Sequence, residues 1–134
     1  MIMLSISLPG TMPSAAYYDC RYAVLREPLG FQRGAEILSD DEQAIHAWIE
    51  LDDTVVSVGR AHLIPSGTNG SGADHKGPGA AKIPGFGPLS DDRNRPAIQI
   101  RQMGTMDNYR RRGLAAQVLR LSLIHISEPT RRYE

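Results

Sequence analysis

Apolar and polar positions alternate at the start of the chain, with Leu4, Ile6 and Leu8 set between Ser5 and Ser7. That is the period of a half-buried strand, and Pro9 with Gly10 ends it. The period then lengthens: Tyr18, Tyr22 and Leu25 recur at helical spacing after Pro13 and Ser14, which predicts a first helix over Ser14–Glu27, stopped by Pro28 and Gly30. Phe31 to Gln43 is polar and acidic without a sustained period and predicts a connecting loop or a short helix. Two further apolar runs, Ala44–Leu51 and Thr54–Ile64, flank Asp52-Asp53. If the two aspartates are the tip of a hairpin, Ile45, Ala47, Ile49 and Leu51 share a face with Val56 and Val58. His46, Trp48 and Glu50 then point the other way, beside Val55, Ser57, Gly59 and Ala61, and Trp48 requires that this second face be covered too.

Ser66 to Pro96 is rich in Gly, Pro, Ser and Asp and poor in branched apolar residues, so it cannot bury enough surface to offset its ordering entropy. The expectation there is a flexible insertion. Strand character resumes over Ala97–Met106 with Ile98, Ile100 and Met103. From Gly113 a helix is predicted, with Leu114, Val118 and Leu121 at i, i+4 and i+7 and with Ala115 and Leu119 widening the stripe.

The chain has 134 residues, which bounds it to one domain with one core. Its 15 Lys and Arg balance 15 Asp and Glu, so no global field draws it to nucleic acid or to an anionic membrane, and any anion site must be local. Cys20 is the single cysteine, which rules out an internal disulfide and leaves the cytoplasm as the default compartment. The apolar start has no basic flank and is too short to span a bilayer, in keeping with a strand rather than a leader.

The chemistry concentrates in one strand–turn–helix unit. After Ile98–Met106 come Asp107-Asn108-Tyr109 and then Arg110-Arg111-Arg112-Gly113-Leu114-Ala115-Ala116. A helix N-terminus offers unpaired backbone N–H groups and the positive end of its dipole, a ready place for an anion. Small residues at 113 and 115 let phosphate oxygens approach the backbone, and the preceding arginines can add charge-assisted hydrogen bonds.

At these residues the chain resembles the GCN5-related N-acetyltransferase (GNAT) superfamily. Its signature is Arg or Gln, two variable residues, Gly, one variable residue, then Gly or Ala, opening a helix after a central strand, and Arg110 to Ala115 satisfies it. The resemblance covers about Met3 to Arg120. It implies an α/β (α+β) fold with a mixed, mostly antiparallel central sheet flanked by helices. It also implies acetyl-CoA as cosubstrate, held by Arg110, Arg111, Arg112, Gly113, Leu114, Ala115 and Ala116 at the diphosphate and by Met103, Gly104 and Thr105 along the pantetheine arm. The reaction implied is acetyl transfer to a primary amine of a small-molecule or peptide acceptor, whose identity the residues do not encode. Nucleic acid, membrane and metal are not expected as partners, since no recognised ligand spacing joins His62, His75 and the acidic pairs.

Catalytic residues are not assignable. Glu50, His46 and His62 are the available base types, Cys20 has no paired histidine and reads as a packing residue, and no tyrosine maps to the position that supplies the thiolate proton in many family members. Leu121 to Arg131 resembles the in-frame translation of a sequencing-library adaptor. On that reading residues 1–120 are a partial acetyltransferase domain, incomplete at the C-terminus, and 121–134 a non-native tail, so the chain itself is expected to be inactive. The last strand would then be an exposed edge that invites self-association. The alternative reading is a non-catalytic module that binds a phosphate-bearing ligand, coenzyme A or nucleic acid through the same helix start.

Overall fold

The computed structural model of the chain describes residues 1–64, 66, 93 and 95–132, with side chains as far as residue 125. Its elements are β1 (Ile2–Ser7), α1 (Ala15–Leu25), β2 (Ile45–Leu51), β3 (Thr54–Ile64), β4 (Ala97–Thr105) and α2 (Leu114–Arg132), with single 3-10 turns at Glu27–Leu29, Asp41–Gln43 and Asp107–Tyr109. The four strands form one antiparallel sheet in the order β1-β2-β3-β4. Most of the expected insertion at Ser66–Pro96 lies outside the described residues.

The helices cover opposite faces of the sheet. On one, Tyr17, Tyr18 and Cys20 of α1 pack with Trp48, Val55 and Val58. On the other, Leu114 and Val118 of α2 pack with Ala47, Ile49 and Val56. The cover demanded by Trp48 is therefore α1. Gly59 lets α2 come this close, because a Cβ there would stand 2.6 Å from Val118 Cγ1. Burying a side chain such as Ile49 or Val118 contributes about 1.5–3 kcal/mol.

Local chemistry explains the ends of these elements. The Ser14 hydroxyl accepts from the Tyr17 N–H at 3.2 Å and caps α1, and Pro28 and left-handed Gly30 close the turn that follows it. Asp52 and Asp53 both adopt positive φ, 50° and 67°, as a two-residue hairpin turn requires. The hairpin register differs from expectation in one respect. Ile49 pairs with Ser57 but Glu50 pairs with Val55, so Val56 is an extra, bulged residue. The bulge reverses the side-chain parity beyond it: Val58 falls on the α1 face opposite Trp48, while Ser57, Gly59 and Ala61 fall on the α2 face with Ile49, Ala47 and Ile45. The Val56 carbonyl then accepts from the Met106 N–H at 2.8 Å and pins the end of β4. β1 also departs from a half-buried strand, since Leu4 and Leu8 are exposed and Ile6 alone of its alternating set is half-buried.

The backbone of α2 is helical without a break to Arg132. Leu121 packs against the α2-face cluster, and Ser122 is buried with its hydroxyl donating to the Val118 carbonyl. Among the described residues no helix is long and apolar enough to cross a membrane.

Candidate functional site

Between the end of β4 and the start of α2 lies an open cleft of about 420 Å³. One wall is Met103, Gly104 and Thr105; the other is Tyr109, Arg110, Arg111 and the turn Gly113 to Ala116. A bulge shapes the strand wall. Val58 pairs with Gly104 and Arg60 with Arg101, so Gln102 and Met103 together oppose Gly59, and a bulge of this kind leaves a backbone group out of the ladder. Gln102 there has φ 58°, a left-handed conformation rare for a residue with a side chain. The Arg26 guanidinium, at the end of α1, holds it by donating to Gln102 Oε1 at 3.0 Å. Gly104 is required by packing rather than by the cleft: a Cβ would lie 2.5 Å from Val24 Cγ2 and 3.2 Å from Leu25 Cδ2. Thr105 turns to the other face, where its hydroxyl meets that of Ser57 at 2.9 Å.

The helix wall is a row of free donors. The Tyr109 and Arg110 amides donate to the Met106 and Asp107 carbonyls, and the next such bond runs from the Gln117 amide to the Gly113 carbonyl. Among the described residues no carbonyl accepts from the amides of residues 111–116 in between. No acidic residue lies in the first turn of α2 to answer its dipole. Gly113 has φ 76° with open space where a Cβ would stand, so its role is first to let the chain turn left-handed into the helix and then to keep that side clear.

The three arginines have separate fates. Arg110 donates from Nε to the Thr105 carbonyl at 3.2 Å and pairs with Asp107 at 3.1 Å, which ties the turn to β4. Arg112 lies outside the cleft lining, with its guanidinium 5.1 Å over the Tyr109 ring and a hydrogen bond to the Asn108 carbonyl. Arg111, at φ 65°, lines the cleft and is exposed. Tyr109 is the lining residue that sequence reasoning missed; an aromatic directly before an arginine run is the signal that could have marked it.

The base types found in the sequence do not line this cleft. His46 is fully buried beneath α1: its Nε2 lies 2.7 Å from the Asp41 carbonyl, so that nitrogen carries the hydrogen, and Nδ1 accepts from the Tyr17 hydroxyl at 2.8 Å. Burial above all holds its pKa down to about 4, so it stays neutral near pH 7. Around it, Arg21 and Arg60, both fully buried, converge on the Asp41 carboxylate at 3.0 and 2.8 Å. Asp41 also accepts from the Tyr18 hydroxyl and the Leu38 amide. Burial raises its pKa, but the two arginines and that amide outweigh burial and leave it below the usual carboxylate value. His62 sits toward the far end of β3, paired with Gln99, and burial likewise lowers it to about 4. Glu50 is half-buried at the hairpin end of β2. Burial pushes the Cys20 thiol up to about 12, which makes it a packing group. Among the described residues no three His, Cys, Asp or Glu side chains gather as a metal site.

No family model and no curated protein matches the sequence. The structure is similar to that of a GCN5-related N-acetyltransferase from Ralstonia eutropha JMP134, with a TM-score of 0.50 and 10% sequence identity over 97% of this chain and 78% of that one. At that identity the likeness is one of fold: an antiparallel sheet flanked by helices in the GNAT-like arrangement.

Proposed function

We propose that the cleft between β4 and α2 holds the diphosphate of acetyl-CoA, and that the chain is the coenzyme-binding part of an N-acetyltransferase acting on a primary amine of unidentified acceptor. The observation that carries this reading is the run of unaccepted amides over residues 111–116 at the mouth of a helix, facing a cleft in a GNAT-like fold. Charge-assisted hydrogen bonds contribute roughly 1.5–3 kcal/mol each, so a few of them meet the approximately 8 kcal/mol of micromolar binding. Met103, Gly104 and Thr105 run along the same cleft as the backbone edge for the pantetheine amides. In the transfer the amine nitrogen attacks the thioester carbonyl and gives up a proton, the C–S bond breaks, and the leaving thiolate takes a proton up; a backbone N–H left out of the ladder at the β4 bulge would polarise that carbonyl.

Calorimetric titration of acetyl-CoA into the chain and into Ala115→Asp tests the reading. Ala115 is exposed in the first turn of α2, so the new carboxylate complements the dipole and leaves the unliganded melting temperature unchanged or higher. It also meets the diphosphate with like charge, and binding should weaken by at least about tenfold. Absence of heat with the wild-type chain, or equal binding by Ala115→Asp, overturns the proposal. Gly113→Val is the poorer probe, because its φ makes any side chain there a folding defect as well.

A second reading, a module that binds a phosphate-bearing ligand without turning it over, is favoured by one observation: His46, His62 and Glu50 all lie outside the cleft lining. Thiol release from acetyl-CoA by this chain with an amine present would exclude the second reading. Binding of oligonucleotides with a steep salt dependence, at the expense of coenzyme A, would instead assign the amides to nucleic-acid phosphates.

A further inference from the structure

The large hydrophobic side chains that the described residues leave exposed are concentrated at one edge of the sheet: Met1, Ile2, Met3, Leu4, Leu8 and Met12. Ile2, Met3 and Leu4 are each about half exposed, at 49%, 51% and 50%, and they lie in β1, whose one strand neighbour among the described residues is β2. Among the described residues nothing guards this edge. No proline or bulge interrupts the strand, and no charged side chain precedes Asp19. The opposite edge is different. β4 carries Arg101 and the left-handed bulge at Gln102, its end forms a wall of the cleft, and Ile98 is its one exposed large hydrophobic, at 36%.

We propose that a second copy of this chain docks on β1, the two strands pairing antiparallel about a two-fold axis normal to the sheet. The strand's own sequence selects that occupant. Such an axis keeps each residue on its own face of the sheet, so paired residue numbers must sum to an even number. The register centred on Leu4 sets Leu4 against the partner's Leu4, Ile2 against the partner's Ile6, and Met3 against the partner's Ser5. Ile2, Leu4 and Ile6 pair with Leu51, Ile49 and Ala47 of β2, so all three lie on the α2 face and become one apolar ladder continuous with that core. With no charge on the strand and a formal net charge of zero on the chain, nothing repels the approach. Because the contact is isologous it closes as a dimer and does not propagate into a fibre.

Sedimentation equilibrium of the full chain across a concentration series tests this. The wild-type chain should pass from one to two monomer masses, and Leu4→Lys, which sets like charges directly opposite, should weaken the dimer at least about tenfold. A mixture of Leu4→Lys with Leu4→Glu should restore the double mass, whereas Ile98→Lys on the β4 edge should leave the wild-type dimer intact. Hydrogen exchange on the unaltered chain removes any dependence on how the variants fold: β1 amides should gain protection as concentration rises and β4 amides should not. A wild-type chain that stays monomeric, exchange in β1 that ignores concentration, or a dimer broken by Ile98→Lys and not by Leu4→Lys overturns the proposal; the first two would leave the strip to a foreign strand.

Discussion

Gly104 and Gly113 stand on the two walls of one cleft and are glycine for different reasons. At Gly104 the backbone is ordinary and the space is filled, with Val24 Cγ2 2.5 Å from where a Cβ would be. Valine is stiff about χ1, so Gly104→Ala must push α1 off β4, and a loss of roughly 1–3 kcal/mol is expected in chemical denaturation. At Gly113 the space is open and the backbone is left-handed. Gly113→Ala should cost about 1–2 kcal/mol through that conformation alone, and Gly113→Asn should recover most of it because asparagine tolerates positive φ. Asparagine at 104 should give no such recovery, and a rescue at both positions would show that the packing account of Gly104 is wrong. The sequence reading gives Gly113 room for a phosphate and Gly104 only a place in the run along the pantetheine arm; the packing reason for Gly104 comes from its neighbours alone.

Among the elements, the segment between α1 and β2 holds the most consequential side chain outside the cleft. Asp41, 2% exposed, is the anion on which buried Arg21 and Arg60 converge. Asp41→Ala leaves two guanidinium groups without that counter-charge and should destabilise the chain by about 3–5 kcal/mol, enough to unfold many domains of this size. The exposed pair of Arg33 with Asp19 is a control: at 56% and 61% exposure, Asp19→Ala should change stability by less than about 1 kcal/mol. This network was not legible beforehand. Ser39-Asp40-Asp41-Glu42 reads as a solvated acidic run, and its partners lie about twenty residues away in a helix and a strand whose periodicity is judged on their apolar members. Local signals were legible where local chemistry decides the outcome, as at the Ser14 cap, the Asp52-Asp53 turn and the glycine-opened start of α2. The Val56 bulge was not, because Val55, Val56 and Val58 put apolar residues on both parities of the strand, so an extra residue among them leaves no trace in the alternation, and the face of Val58 followed it.

For the molecule as a whole, the buried titratable groups predict acid lability. His46 and His62 each have a folded pKa near 4 against an ordinary value of 6.5, so between those limits the unfolded chain binds protons that the folded chain refuses. Stability therefore falls as pH drops through this window, by up to about 1.4 kcal/mol per pH unit for each histidine. Asp41 acts in the same direction lower down, since its depressed pKa makes its contribution fully present above the ordinary carboxylate value and lost as pH falls through the folded one. Urea midpoints should be flat from pH 8 to about 7 and decline steeply toward pH 4.5, and His46→Gln should remove close to one proton from the slope. A pH-independent midpoint over the window would show that both rings take up protons in the folded chain. Among the described residues the cleft lining holds backbone amides and arginines and no His, Asp or Glu. On the proposed reading, a diphosphate ligand should keep its affinity per folded molecule while the folded fraction falls, so a loss of binding below pH 6 that runs ahead of both unfolding and the ligand's own protonation would place a titrating group in the cleft.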